Sequence, residues 1–232
     1  MSRASVVMVL LLAFVVACKP EEPINGEDSH VLNGHEYVDL GLPSGTLWAT
    51  CNVGADTPED CGDYFAWGDT IPKEMYDWKN YQYATFVDGR YELSKYCTDS
   101  YWGFNGFVDS LTMLEPVDDA ALAQWGVGWR MPTKEDYAEL FQNTTYAWTT
   151  QNGVEGRLLT GSNGNSIFLP ATGFCLEGEP LCPGLGLYWS SSLQTSSQMS
   201  AWSFHFDYED CHVCGTYERS RGQCVRAVCS GQ

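Results

Sequence analysis

The chain of 232 residues carries 30 acidic and 12 basic side chains, a formal net charge of -18. That balance opposes a phosphate backbone or an anionic lipid surface and excludes nucleic acid as a partner. Hydrophobic residues make up 44% and aromatic residues 14%, enough for a core and against global disorder.

Arg3 precedes a continuous apolar run from Val6 to Ala17 that stops at Cys18. The run is too short to span a bilayer and suits the core of a signal peptide over residues 1–17. Val15-Val-Ala-Cys18 resembles a bacterial lipobox, in which the Cys becomes the lipid-modified first residue of the mature chain. Residues 18–32 are polar and rich in Pro and acids, and read as a flexible tether. Acids just after the lipidated Cys resemble the surface-export signal of Bacteroidetes lipoproteins. This implies an outer-membrane protein, lipid-anchored and surface-exposed, that meets the membrane through Cys18 alone.

Residues 33–232 show no internal repeat or linker and read as one domain. Gly34-His-Glu-Tyr-Val-Asp-Leu40 and Thr46-Leu-Trp-Ala-Thr-Cys-Asn-Val53 predict the first two strands, and residues 87–114 read mostly as loop. Asp118-Asp-Ala-Ala-Leu-Ala-Gln124 predicts a short helix with its acids at the positive end of the dipole. Thr133-Lys-Glu-Asp136 imitates a capping box, and Tyr137, Leu140 and Phe141 fall on one face of a second helix ending near Asn143. Asn163-Gly164, between Arg157-Leu-Leu-Thr160 and Ser166-Ile-Phe-Leu-Pro170, is a hairpin signal in which both turn residues accept positive φ.

Tyr188-Trp-Ser-Ser-Ser192, Ala201-Trp-Ser-Phe-His-Phe206 and Gln223-Cys-Val-Arg-Ala-Val228 complete the predicted strands. In the second of these, Trp202 and Phe204 alternate with Ser203 and His205, so one pair is expected inward and the other outward. Two short helices in a strand-and-loop majority, without βαβ alternation, predict an α+β fold with a mainly antiparallel sheet.

Several stretches resemble one family: Tyr37-Val-Asp-Leu-Gly-Leu42, Leu47-Trp-Ala-Thr-Cys-Asn-Val-Gly54, Gly62-Asp-Tyr-Phe-Ala-Trp-Gly68, Trp125-Gly-Val-Gly-Trp-Arg-Met-Pro-Thr133, Asn163-Gly-Asn-Ser-Ile-Phe-Leu-Pro-Ala171 and the close from Trp189 to Arg226. They resemble the Fibrobacter succinogenes major paralogous domain of exported bacterial lipoproteins. The resemblance implies a C-type-lectin-like fold: a small twisted antiparallel sheet, two helices and long loops. The C-terminal region also resembles proteins diversified by retroelements, in which such a fold carries a hypervariable ligand-binding face. Asp210-Cys-His-Val-Cys-Gly-Thr-Tyr217, Arg219-Ser-Arg221 and Cys224 read as residues scattered by that process.

Function is expected in residues 207–220, where Asp, Glu, Tyr, Cys, His, Thr and Arg mix without period between ordered ends. The candidate ligand-binding residues are Asp207, Tyr208, Asp210, His212, Tyr217, Glu218 and Arg219. The ligand would be an extracellular protein or glycan, with Tyr and Arg as its anchors. A structural envelope protein without a specific ligand is the alternative.

Nine cysteines remain after Cys18, an odd number, so at least one stays free or bonds to another chain. Cys175 and Cys182 could staple the loop between them, and Cys211-His-Val-Cys214 has redox or metal spacing. Its second ligand pair would have to be Cys224 and Cys229, an irregular set, so no metal and no cofactor are expected.

Arg130-Met-Pro-Thr-Lys-Glu135 resembles formylglycine-generating enzymes, a weaker alternative, since Cys224 and Cys229 are an odd number of residues apart and should face opposite ways. No catalytic residue is assigned. Glu115-Pro-Val-Asp-Asp119 suits a calcium ligand set less well than a helix start, and the four His are too dispersed for a triad.

Overall fold

The computed structural model describes residues 30–176, 180–181 and 183–231. The predicted leader, Cys18 and Cys182 lie outside the described residues. The chain begins with strands β1 (Val31–Leu32), β2 (His35–Val38) and β3 (Thr46–Ala49), then the hairpin β4 (Ala84–Val87) and β5 (Arg90–Leu93). Helix α1 (Ala120–Trp125), strand β6 (Trp129–Arg130) and helix α2 (Lys134–Asn143) form the middle. Strands β7 (Thr144–Gln151), β8 (Val154–Gly161) and β9 (Ser166–Pro170) follow, then the short β10 (Phe174–Cys175) and β11 (Pro180–Leu181). The close is β12 (Gly186–Leu193), β13 (Ser200–Phe206), β14 (Cys211–Glu218) and β15 (Val228–Ser230).

All pairing between these strands is antiparallel, in sheets ordered β1-β2-β3-β15-β6, β7-β8-β9, β12-β13-β14, β4-β5 and β10-β11. The architecture is α+β with two short α-helices, as the patterning predicts. The tether ends earlier than residue 32, because Val31 and Leu32 pair with Glu36 and His35.

Local chemistry explains the turns. The two-residue links Asn33-Gly34, Asp88-Gly89 and Asn152-Gly153 all have positive φ at both residues, the backbone that a tight hairpin between right-twisted strands demands. The Asp88-Gly89 turn makes a hairpin where the sequence reads as loop. The expected Asn163-Gly164 turn is built differently. Only Gly164 turns positive, while Asn163 Oδ1 accepts from the Asn165 amide at 3.0 Å and its Nδ2 donates to the Asp39 carbonyl at 2.8 Å.

Both helices start on side-chain caps. Thr133 accepts from the Asp136 amide and Asp136 accepts from the Thr133 amide, completing the predicted box at α2. Asp119 is the N-cap of α1 rather than a first-turn residue. It accepts from Leu122 and also from the Met131 amide, so it ties the helix to the connector behind it.

Two cores lie on opposite faces of the central strands. Leu47, Ala49, Trp189, Ala227 and Cys229 enter one with Trp67, Trp125 and Trp129. Trp48, Tyr188, Cys224 and Val228 enter the other with Tyr137, Leu140, Phe204 and Phe206. The two-residue period of a strand separates them. All eight residues of β12 are buried, which requires cover on both faces.

Candidate ligand-binding face

Residues 207–220 are not irregular. Cys211–Glu218 is a strand, β14, and pairs with β13 from Ser200↔Glu218 to Phe206↔Cys211. A bulge between Ser203 and His205 shifts the register, so the two-residue period is lost. The expected alternation in β13 also fails. Ser203 and Phe204 are both buried, while Trp202 and His205 are half-buried. Phe204 stacks on Tyr137 of α2, and on the other face Ser203 Oγ donates to Gln223 Oε1 at 2.7 Å. The last predicted strand is shorter than expected: residues 222–224 make isolated bridges and regular pairing starts at Val228.

The tip of the β13–β14 hairpin is fixed from two sides. Asp207 Oδ1 accepts from the amides of Glu209 and Asp210 at 2.8 and 2.9 Å, and these bonds hold its carboxyl below the usual range. Arg157, on β8, donates to the Asp207 carbonyl at 2.8 Å and to the Tyr208 carbonyl at 3.4 Å. Its guanidinium lies over the Tyr146 ring at 5.2 Å. The turn is thereby anchored to the neighbouring sheet. Sequence reading missed Arg157, since nothing within its strand announces a partner 50 residues later.

On this support Tyr208 is 73% exposed and touches Trp148 edge-on at 6.0 Å. Asp210, His212 and Glu218 are exposed and Tyr217 is half-buried beside the first core. Glu218 pairs with Arg221 at 3.0 Å. His212 stands directly opposite His205, and their rings stack at 4.6 Å with 28° between planes. Lys134 lies over the Trp202 ring at 5.3 Å, further along the sheet. The structure thus brings Asp207, Tyr208, Asp210 and His212 together at the tip, with Glu218 at the far end of β14.

Arg219 does not belong to this surface. It is 0% exposed, its Nη1 donates to the Tyr96 carbonyl at 3.2 Å and its Nη2 to Gln198, and it lies between Trp67 and Tyr81. Both its terminal nitrogens and its planar face are engaged inside the fold, so it cannot anchor an external ligand. Cys224 is likewise 0% exposed and burial pushes its thiol up, which makes it an unsuitable position for surface variation. Cys211 is also buried, with a thiol pushed up to about 11.

The residues of the other candidate chemistries have structural partners or are buried. Cys224 and Cys229 lie in different cores, as their spacing predicts, and burial raises both thiols. Asp118 accepts from Lys95 Nζ at 2.6 Å and from the hydroxyls of Tyr83 and Tyr96. Burial pushes its carboxyl up, but these bonds outweigh burial and hold it below the ordinary value. Asp119 is committed to the cap of α1 and to the Met131 amide. Among the described residues no group of three or more His, Cys, Asp or Glu could hold a metal ion.

A cleft of about 380 Å³ opens away from the hairpin, between β2, the loop after β3 and Trp125. His35 stacks on Trp125 at its wall with centroids 3.9 Å apart, and half-buried Cys51 also lines it. No predicted binding residue lines this cleft. The chain matches no known protein family, no curated protein and no solved structure.

Proposed function

We propose that this chain is an exported, lipid-anchored surface protein whose C-type-lectin-like domain binds an extracellular protein or glycan through the tip and outer strand of the β13–β14 hairpin. Its likeness to the Fibrobacter succinogenes major paralogous domain belongs to the same proposal. The observation that carries it is the contrast between surface and support. Tyr208, Asp210, His212 and Glu218 project from a turn and strand that Arg157, Asp207 and two cores hold in place. A prearranged surface loses little conformational entropy when a partner docks. Tyr208 supplies a large, rigid contact, and the acids around it favour neutral or cationic partners. On this reading diversification falls on exposed positions such as Asp210 and His212 and avoids the buried Arg219 and Cys224.

The test compares wild type with a Tyr208→Ala/Glu218→Ala variant on arrays of glycans and cell surfaces, with thermal unfolding in parallel. The variant should lose about tenfold or more in affinity, as loss of an aromatic anchor does, at an unchanged Tm. Equal binding by both proteins would remove this face from the reading. A wild type that binds nothing would favour a structural envelope role.

A further inference from the structure

The stacked His205–His212 pair lies in room that the neighbouring strand leaves for it. A Cβ on Gly215 would sit 2.0 Å from His205 Nδ1, so glycine at this position is what lets the imidazole lie flat across the strand. Nδ1 is buried there without a hydrogen-bond partner. The second ring comes from the directly opposite residue of β14, next to the bulge and one residue pair before the turn. Stacking at 4.6 Å suits two neutral rings, or one neutral and one charged.

We propose that the His205–His212 pair is an acid-operated latch: when both rings take up a proton the stack opens, and the end of the hairpin that carries Asp207, Tyr208 and Asp210 is reshaped.

The charges around the pair decide how many protons it accepts. From the turn, the Asp207 and Asp210 carboxylates favour a proton, and Asp210 Oδ2 lies 3.9 Å from His212 Nε2. From β8, the Arg157 guanidinium sits on the turn carbonyls and opposes additional positive charge. From β14, Tyr217 meets His205 edge-on at 5.9 Å and brings no charge at neutral pH. One imidazolium therefore has counter-charges to face. A second has a like charge at stacking distance and a burial site for its ring.

Burial, and then His212, hold His205 below its ordinary value of 6.5. The closed hairpin thus binds fewer protons than the opened one. Its stability is complete above about pH 6.5 and falls as pH drops toward the closed-state value. The outward ring, His212, is the one free to leave, because it is exposed while His205 is half-buried.

The latch rests on the proposed binding face only for its consequence; the opening stands by itself. The test is histidine NMR titration with hydrogen exchange of residues 205–212, as protection factors, at pH 7.5 and pH 5. In wild type the two rings should titrate in separate steps. Protection at the tip should fall about tenfold or more, while β15 keeps its protection. In His212→Gln the acid loss should shrink, since only the burial of His205 remains to oppose its proton, and His205 should titrate higher.

Both rings titrating together with constant tip protection would overturn the latch. So would a wild-type acid loss in His212→Gln. Partner binding at the two pH values is read separately. An opening tip with no partner bound at either pH defeats the binding face and leaves the latch standing.

Discussion

Arg226 shows how much of this fold rests on polar atoms that never reach water. Its guanidinium is 0% exposed, and among the described residues its hydrogen bonds go to neutral acceptors. Nε donates to Asn52 Oδ1 at 2.8 Å, Nη1 to the carbonyls of Ala49 and Thr50 at 3.1 and 2.5 Å, and Nη2 to the Phe168 carbonyl at 3.0 Å. Burial lowers its pKa, and four neutral acceptors keep the charge tolerable. Lysine has one nitrogen, set short of the guanidinium's outer nitrogens, and cannot serve Ala49, Thr50, Asn52 and Phe168 at once. Arg226→Lys should therefore cost about 2–4 kcal/mol, from at least two buried acceptors left unpaired. Urea unfolding measures it, and a loss below about 1 kcal/mol would show that solvent or the lysine satisfies the acceptors. Arg219 follows the same rule, which is why reading it from sequence as a ligand anchor failed. An arginine among polar residues reads as surface, and its burial exists only once Tyr96, Gln198 and Trp67 converge on it.

Elements were legible where their signal is local. The capping box of α2 needs only Thr133 and Asp136, three residues apart, and a positive-φ turn needs only two residues. Strand β14 was illegible because it borders its sheet, has a bulge, and mixes buried Cys211 and Gly215 with exposed His212, Thr216 and Glu218. No period survives that arrangement.

The cap of α2 also predicts a pH response. Asp136 accepts from both Thr133 groups and takes two bonds from Arg130, at 2.6 and 3.0 Å. Burial pushes its carboxyl up, but the bonds from Arg130 and Thr133 outweigh burial and hold it below 3.8. The stability it adds is complete above that value and disappears as pH falls through the folded-state value. Asp136→Asn should cost about 1–2 kcal/mol at pH 7, the worth of a good cap. The gap from wild type should narrow at pH 3. A gap independent of pH would mean that the carboxylate's charge contributes nothing.

At the scale of the molecule, the two ends of the described chain meet in one sheet. β15 lies between β3 and β6, with Val228 facing both Trp48 and Arg130. On the way there, residues 222–225 bond to Phe65, Cys175, Trp189 and Val53, so the closing segment stitches both cores. Such pairings are too distant in sequence for local patterning to reveal them, and they slow folding because loop closure precedes the contacts that reward it. The proposed binding face hangs between β13 and this stitch, so its exposed residues can change while the frame stays fixed. A chain stopped after Arg221 loses β15 and leaves β3 and β6 without their shared neighbour. It should show no cooperative unfolding transition and little amide protection even in β7, β8 and β9, which lie outside the removed residues. A native-like transition in the truncated chain would mean that the second sheet folds on its own and that the face is supported locally, by Arg157 and the turn, rather than by the closing strand.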